Sequence, residues 1–198
     1  TPAFTTMNRN AKITKDSSNV RQIILACKAF GGDFDVYPAW NPFEESEGGG
    51  GGEDDGNFST STEAFNVLLQ EAIFWYTMEG KQRPPVENGV LEDNEVTYTY
   101  VSGQSDSTYS RSPLIADQQE SIGTYGQYHP WLIARKAVVG YCGGQVIAER
   151  LDSNEPGAMV RTKQDNTEIF KRRSTDEGEG GGLLAVDEEN VLQPGGGE

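Results

Sequence analysis

His129 is the only histidine in the chain, and that alone narrows the chemistry the sequence can perform. A nucleophilic serine or cysteine needs a base held beside it, and the one imidazole sits in "YGQYHPW" (residues 125–131), before a proline and among aromatics. That setting reads as a packed or surface loop histidine. No G-x-S-x-G turn offers a strained serine. Carboxylates are plentiful, but many lie in glycine-rich runs where nothing fixes the separation that a general acid and base require. The glycine run is not followed by Lys-Ser or Lys-Thr, and no dinucleotide fingerprint is present. The sequence therefore reads as non-enzymatic.

Binding chemistry has a few candidates. Asp106 and Asp117 bound the stretch "DSTYSRSPLIAD" and would be the carboxylates to share a calcium ion, against the plainer reading of two turn-forming aspartates. Residues 44–57 carry six acids and six glycines without the spacing of a calcium-binding loop, and so predict a mobile loop with no resident cofactor. Tyr125, Tyr128 and Trp131 form an aromatic group that reads as core or as a self-association patch, with a sugar platform the lesser alternative. Cys27 and Cys142 are the only cysteines and lack metal-site spacing; they are either a single disulfide or two separate buried thiols.

Charge excludes one class of partner. Asp and Glu number 31 against 16 Lys and Arg, a net charge of −15 in 198 residues, and such a surface repels phosphate backbones. Nucleic acid is not an expected partner. No run of apolar residues is long enough to span a membrane, and the first residues do not form a signal peptide.

The elements that must position these groups begin with a helix. Phe4, Met7 and Ala11, then Val20, Ile24 and Cys27, repeat at helical spacing, widened by Ile13, Ile23 and Phe30, while Arg9, Lys12, Lys15 and Asp16 fall mostly elsewhere. The pattern predicts a helix over 1–30, stopped by Gly31 and Gly32. It opens without a capping residue, as though cut from a longer rod. Beyond it, Pro38 and Pro42 forbid helix, and Trp40 and Phe43 are placed to tuck back onto the core. A second helix over 60–76 is signalled by Thr60 and Glu63 as a capping box, with Phe65, Leu68 and Leu69 on one stripe.

From Glu95 the period changes to two, predicting a half-buried strand through Val96, Tyr98 and Tyr100. "LIAD" (114–117) reads as a short strand, "WLIARKAVVGYC" and "QVIAERL" as a hairpin joined by a two-residue Gly143-Gly144 turn, and "AMVRT" as an edge strand. The fold class is α+β, with antiparallel strands over 95–162 in a single domain spanning 1–162. Residues 163–198 mix charge with glycine around short apolar islands and predict a loosely attached tail. The packing expected is Ile13, Val20, Ile24 and Cys27 against the sheet, closed by Phe65, Leu68 and Leu69.

Four segments together carry a resemblance. "PAFTTMNRNAKITKDSSNVRQIILACKAF" (2–30) resembles the stretch that follows the hydrophobic half of the first helix in type IV pilin-like proteins, especially pseudopilins of type II secretion systems. "GGDFDVYP" is similar to the loop after that helix, "YTYVSGQSDSTYSRSPLIAD" to an aromatic strand and loop of one bacterial branch, and "KAVVGYCGGQVIAERL" to the closing hairpin. In that hairpin Gly143 stands where the family usually has the Asp of an Asp-Gly turn. The matches span most of residues 2–151; the acidic glycine loops and the tail have no counterpart.

The resemblance implies a long helix packed on an antiparallel sheet, its apolar first half lying upstream of Thr1 and anchoring in the inner membrane before assembly. It implies a non-enzymatic structural subunit whose partners are other pilin-like subunits, located in the cell envelope, periplasm or cell surface. Export across the inner membrane implies a compartment that permits a Cys27–Cys142 bridge. The competing expectation is a cell-surface adhesion module, an immunoglobulin-like β-sandwich head with an N-terminal helix, recognising a host or matrix ligand through the Tyr125–Trp131 loop.

Overall fold

Helix α1 (Pro2–Phe34) opens the fold and is its longest element, 33 residues. The structure is a computed structural model that describes residues 2–42, 57–70, 90–174 and 181–195. The buried stripe of α1 is Ile13, Asp16, Val20, Ile23, Ile24, Cys27 and Phe30, a three-and-four spacing that keeps one face on the sheet.

Two features of α1 differ from the sequence expectation. It runs through Gly31 and Gly32 and ends at Phe34, where Asp35 takes the left-handed conformation (φ 65°) and its N–H donates to the Gly31 carbonyl at 2.9 Å. Phe30 and Phe34 hold that last turn through ring contact at 4.4 Å, and Gly31 is needed for side-chain room, since a Cβ there would lie 3.1 Å from Tyr37 Cδ1. The second difference is at the start of the stripe. Met7 is 71% exposed and Ala11 is exposed, because the sheet reaches no further along the helix than Ile13.

After α1, Tyr37 fills the core, and Trp40 stays largely at the surface, contrary to its expected role. Phe43 lies outside the described residues. Helix α2 (Ser61–Gln70) opens on the capping box: the Glu63 N–H donates to Thr60 Oγ1 at 3.2 Å, and Glu63 Oε2 accepts from the Thr60 N–H at 3.0 Å. The expected residues 71–76 of this helix lie outside the described ones.

Strands β1 (Tyr98–Val101), β2 (Pro113–Asp117), β4 (Lys136–Tyr141), β5 (Val146–Arg150) and β7 (Val191–Leu192) form one antiparallel sheet in the order β5-β4-β2-β1-β7. β3 (Thr124–Tyr125) and β6 (Ala158–Met159) make a separate two-stranded pair. A long helix laid across an antiparallel sheet is the pilin-like topology; the immunoglobulin-like sandwich does not form, since the helix covers one face of the five-stranded sheet and the remaining strands among the described residues make only a two-stranded pair.

The β4–β5 connection is longer than the two-residue turn expected. The Gly144 N–H donates to the Tyr141 carbonyl at 2.8 Å, and the Tyr141 N–H to Gln145 O at 2.9 Å, leaving a three-residue loop. Only Gly144 adopts positive φ there (86°); Gly143 is required for another reason, a Cβ on it lying 2.9 Å from the Ser110 carbonyl.

Both faces of the sheet are covered. On one side Ile13, Val20, Ile24, Cys27, Phe65, Leu68 and Leu69 pack with Tyr98, Tyr100 and Val138. On the other, Val101, Ala116, Ala137 and Val139 pack with Ile169, Phe170, Leu184 and Val191. Two expectations are corrected together: β1 is buried at all four positions, and the described residues after 162 are not a loose tail but the lid of the second core, with β7 paired to β1.

Candidate functional site

The segment of α1 ahead of Ile13 is the feature least explained by folding. Residues 5–12 expose their side chains, except for the half-buried Arg9. At a rise of about 1.5 Å per residue, the helix therefore carries two turns and more of side chains past the edge of its own core. On this stretch and the outer face beyond it lie Met7, Arg9, Lys12, Lys15, Arg21 and the exposed Leu25, a basic and partly apolar surface on a strongly acidic molecule.

Under the helix, polar groups are sealed in. Asp16, on the buried stripe between Ile13 and Val20, accepts from Tyr98 Oη at 2.7 Å and from Trp131 Nε1 at 3.1 Å. Burial, then the Asp16 charge and hydrogen bond, push the Tyr98 phenol well above its ordinary pKa, so Tyr98 stays protonated and is the donor of the pair. Nearby, Asp117 Oδ2 accepts the Val138 N–H at 2.8 Å and lies 3.9 Å from His129 Nε2. His129 Nε2 is also 2.8 Å from the Lys136 carbonyl, which can only accept, so this nitrogen carries the proton. With its ring against Tyr125 at 4.6 Å, His129 is a packed residue that ties the loop to β4.

At the other end of the sheet, Asp106 Oδ1 accepts from Lys28 Nζ at 2.5 Å and from Tyr37 Oη at 2.9 Å. These two hydrogen bonds hold the carboxyl below its ordinary pKa. Asp106 and Asp117, the suggested calcium pair, are not brought together. Asp117 sits opposite Tyr98 at the start of β1, whereas Asp106 is in the loop past the far end of that strand. Among the described residues no group of three or more His, Cys, Asp or Glu side chains could hold a metal ion.

Cys27 and Cys142 are buried free thiols. Cys142 Sγ donates to Gln104 Oε1 at 3.2 Å, and Gln104 in turn donates through Nε2 to the Pro113 carbonyl at 2.8 Å. The aromatic group divides: Tyr125 and Trp131 are buried in cores on opposite faces of the sheet, and Tyr128 alone points outward, 88% exposed.

Sequence reasoning missed Asp16, Gln104 and Lys28. For Asp16 the signal was available: it stands three residues after Ile13 and four before Val20, on the apolar stripe itself. Gln104 and Lys28 act through contacts with residues far away in sequence, which no local pattern encodes. None of the described helices is long and apolar enough to cross a membrane. No protein-family model, curated protein or solved structure matches the chain.

Proposed function

We propose that this chain is the globular portion of a structural subunit of a type IV pilus-like or type II secretion pseudopilus filament, working by assembly and not by catalysis. The observation that carries the reading is the helix that outruns its core. Most of a helix's stability in a protein comes from packing one of its faces, whereas residues 5–8 and 10–12, ahead of Ile13, keep their side chains exposed. In the proposed subunit an apolar continuation upstream of Thr1 anchors in the inner membrane before assembly. The same continuation bundles with those of neighbouring subunits afterwards, so the head works in the cell envelope, in the periplasm or at the cell surface. The topology of helix and sheet supports the same reading.

The test is the coding sequence immediately upstream of Thr1. The expected finding is a Gly-Phe-type processing site followed by about 20 apolar residues; a polar stretch there ends the proposal.

A second reading, a cell-surface adhesion module for a host or matrix ligand, is favoured by Tyr128 and Ile133, 88% and 77% exposed on the loop between β3 and β4. It requires that Tyr128→Ala combined with Ile133→Ser abolish adherence of the protein to matrix-coated surfaces. Equal adherence of the two proteins removes it.

A further inference from the structure

The β4–β5 hairpin and the last turns of α1 meet at two glycines, Gly140 and Gly144. Ile24 lies against Gly140, where an added Cβ would be 2.5 Å from Ile24 Cδ1. One helical turn further on, Lys28 reaches Gly144, with Cε 4.0 Å from the position of a Cβ on that glycine. Cys27 is on the helix face between these two contacts, and Cys142 is the alternate residue between Gly140 and Gly144. Both are sealed from solvent, at 0% and 3% exposure, in the same apolar core.

We propose that Cys27 and Cys142 are the two halves of a disulfide that fastens helix α1 to the β4–β5 hairpin. The inference goes beyond the filament reading and does not depend on it. Bridging would cost the hydrogen bond from Cys142 to Gln104, but Gln104 keeps its bond to the Pro113 carbonyl, so the loop after β1 stays anchored.

The folded environment determines when the bond forms. Burial, and after it the neighbouring Cys142, push the Cys27 thiol far above its ordinary pKa, and burial pushes Cys142 up to about 12. Thiolates are the attacking species, so the native reduced pair reacts slowly and is no redox sensor. The bond forms as the helix closes onto the sheet, by exchange with a small-molecule disulfide such as glutathione disulfide. One cysteine thiolate attacks a glutathione sulfur and releases one glutathione thiolate. The other cysteine thiolate then attacks the protein sulfur of the mixed disulfide and releases the second. Two protein thiols and one oxidant disulfide become one protein disulfide and two glutathione thiols, with the two protons passing to the released thiolates.

The protein is unfolded in urea and refolded with reduced and oxidised glutathione. The expected product is monomeric, about 2 Da lighter than the reduced chain, without thiols that react in denaturant, and yields one cross-linked peptide pair containing Cys27 and Cys142. Closing so long a loop predicts that reduction lowers its Tm by roughly 10 °C. The same reduction leaves the Tm of the Cys27→Ala/Cys142→Ala variant unchanged. Natively folded monomer that keeps two titratable thiols overturns the proposal, as does a disulfide found only between chains. The thiol count needs no variant, so a variant that fails to fold does not obscure the result.

Discussion

Asp16, in the middle of helix α1, accepts a 2.7 Å hydrogen bond from the hydroxyl of Tyr98 on β1. Trp131 Nε1 donates to the other oxygen of the same carboxylate at 3.1 Å. Between two apolar surfaces, this arrangement fixes both the rotation and the slide of the helix, because a one-residue shift would bury the carboxylate without donors. Asp16→Ala strands two donors, so a loss of about 2–4 kcal/mol is expected in urea unfolding. Tyr98→Phe costs less, and the double variant loses less than the sum of the two. Strict additivity would show that the pair is not coupled.

Gly140 sets the distance between the helix and the sheet. A methyl group there meets Ile24 Cδ1 at 2.5 Å and Val20 Cγ1 at 2.7 Å. Gly140→Ala is therefore expected to destabilise by about 1–3 kcal/mol through overpacking, and Ile24→Val in the same chain to recover part of the loss by removing the nearer methyl. Calorimetry on the three variants checks the order. A neutral Gly140→Ala would mean that the helix can lift off without cost.

The parts of this fold that were legible in the sequence are those decided locally. Thr60 and Glu63 define a helix start within four residues, and Lys136–Tyr141 followed by Val146–Arg150 is a hairpin whose strands lie close together in the chain. The end of α1 was not legible, because Gly31 and Gly32 look like a stop, whereas the structure carries the helix on to the Phe30–Phe34 contact and uses Gly31 to make room for Tyr37. Asp106 and Asp117 looked like neighbours for a similar reason. The antiparallel run of β1 and β2 carries them to opposite ends of the sheet.

The segment after residue 162 shows the limit most clearly. Ile169–Phe170, Leu183–Leu184 and Val191 belong to runs too short to carry a period, yet together they pack on a sheet face that includes Val101, Ala116, Ala137 and Val139. A chain ending at residue 162 is therefore expected to lose cooperative unfolding and to expose that face to dyes that bind apolar surface. The milder Phe170→Ala should cost about 3–5 kcal/mol. A truncated chain that melts like the full one would return these residues to the status of a tail.

Glu168 makes the attachment of that segment sensitive to pH. Its carboxyl lies against Gly123, with Cδ 2.6 Å from where a Cβ would stand, and Oε1 accepts the Phe170 N–H at 2.6 Å. Burial raises its pKa from 4.5 to about 7, the Phe170 bond offsetting only part of that. The folded state thus holds this proton more tightly than the unfolded chain does. The stabilisation is complete below the unfolded value of 4.5 and is lost as pH rises through about 7. Melting curves of the native protein and Glu168→Gln, taken between those limits, isolate this group from the general repulsion of an acidic surface. The native protein should lose stability relative to the variant across the interval, since glutamine keeps an acceptor for Phe170 and cannot ionise. Parallel pH profiles would show that Glu168 does not control the closure of the second core.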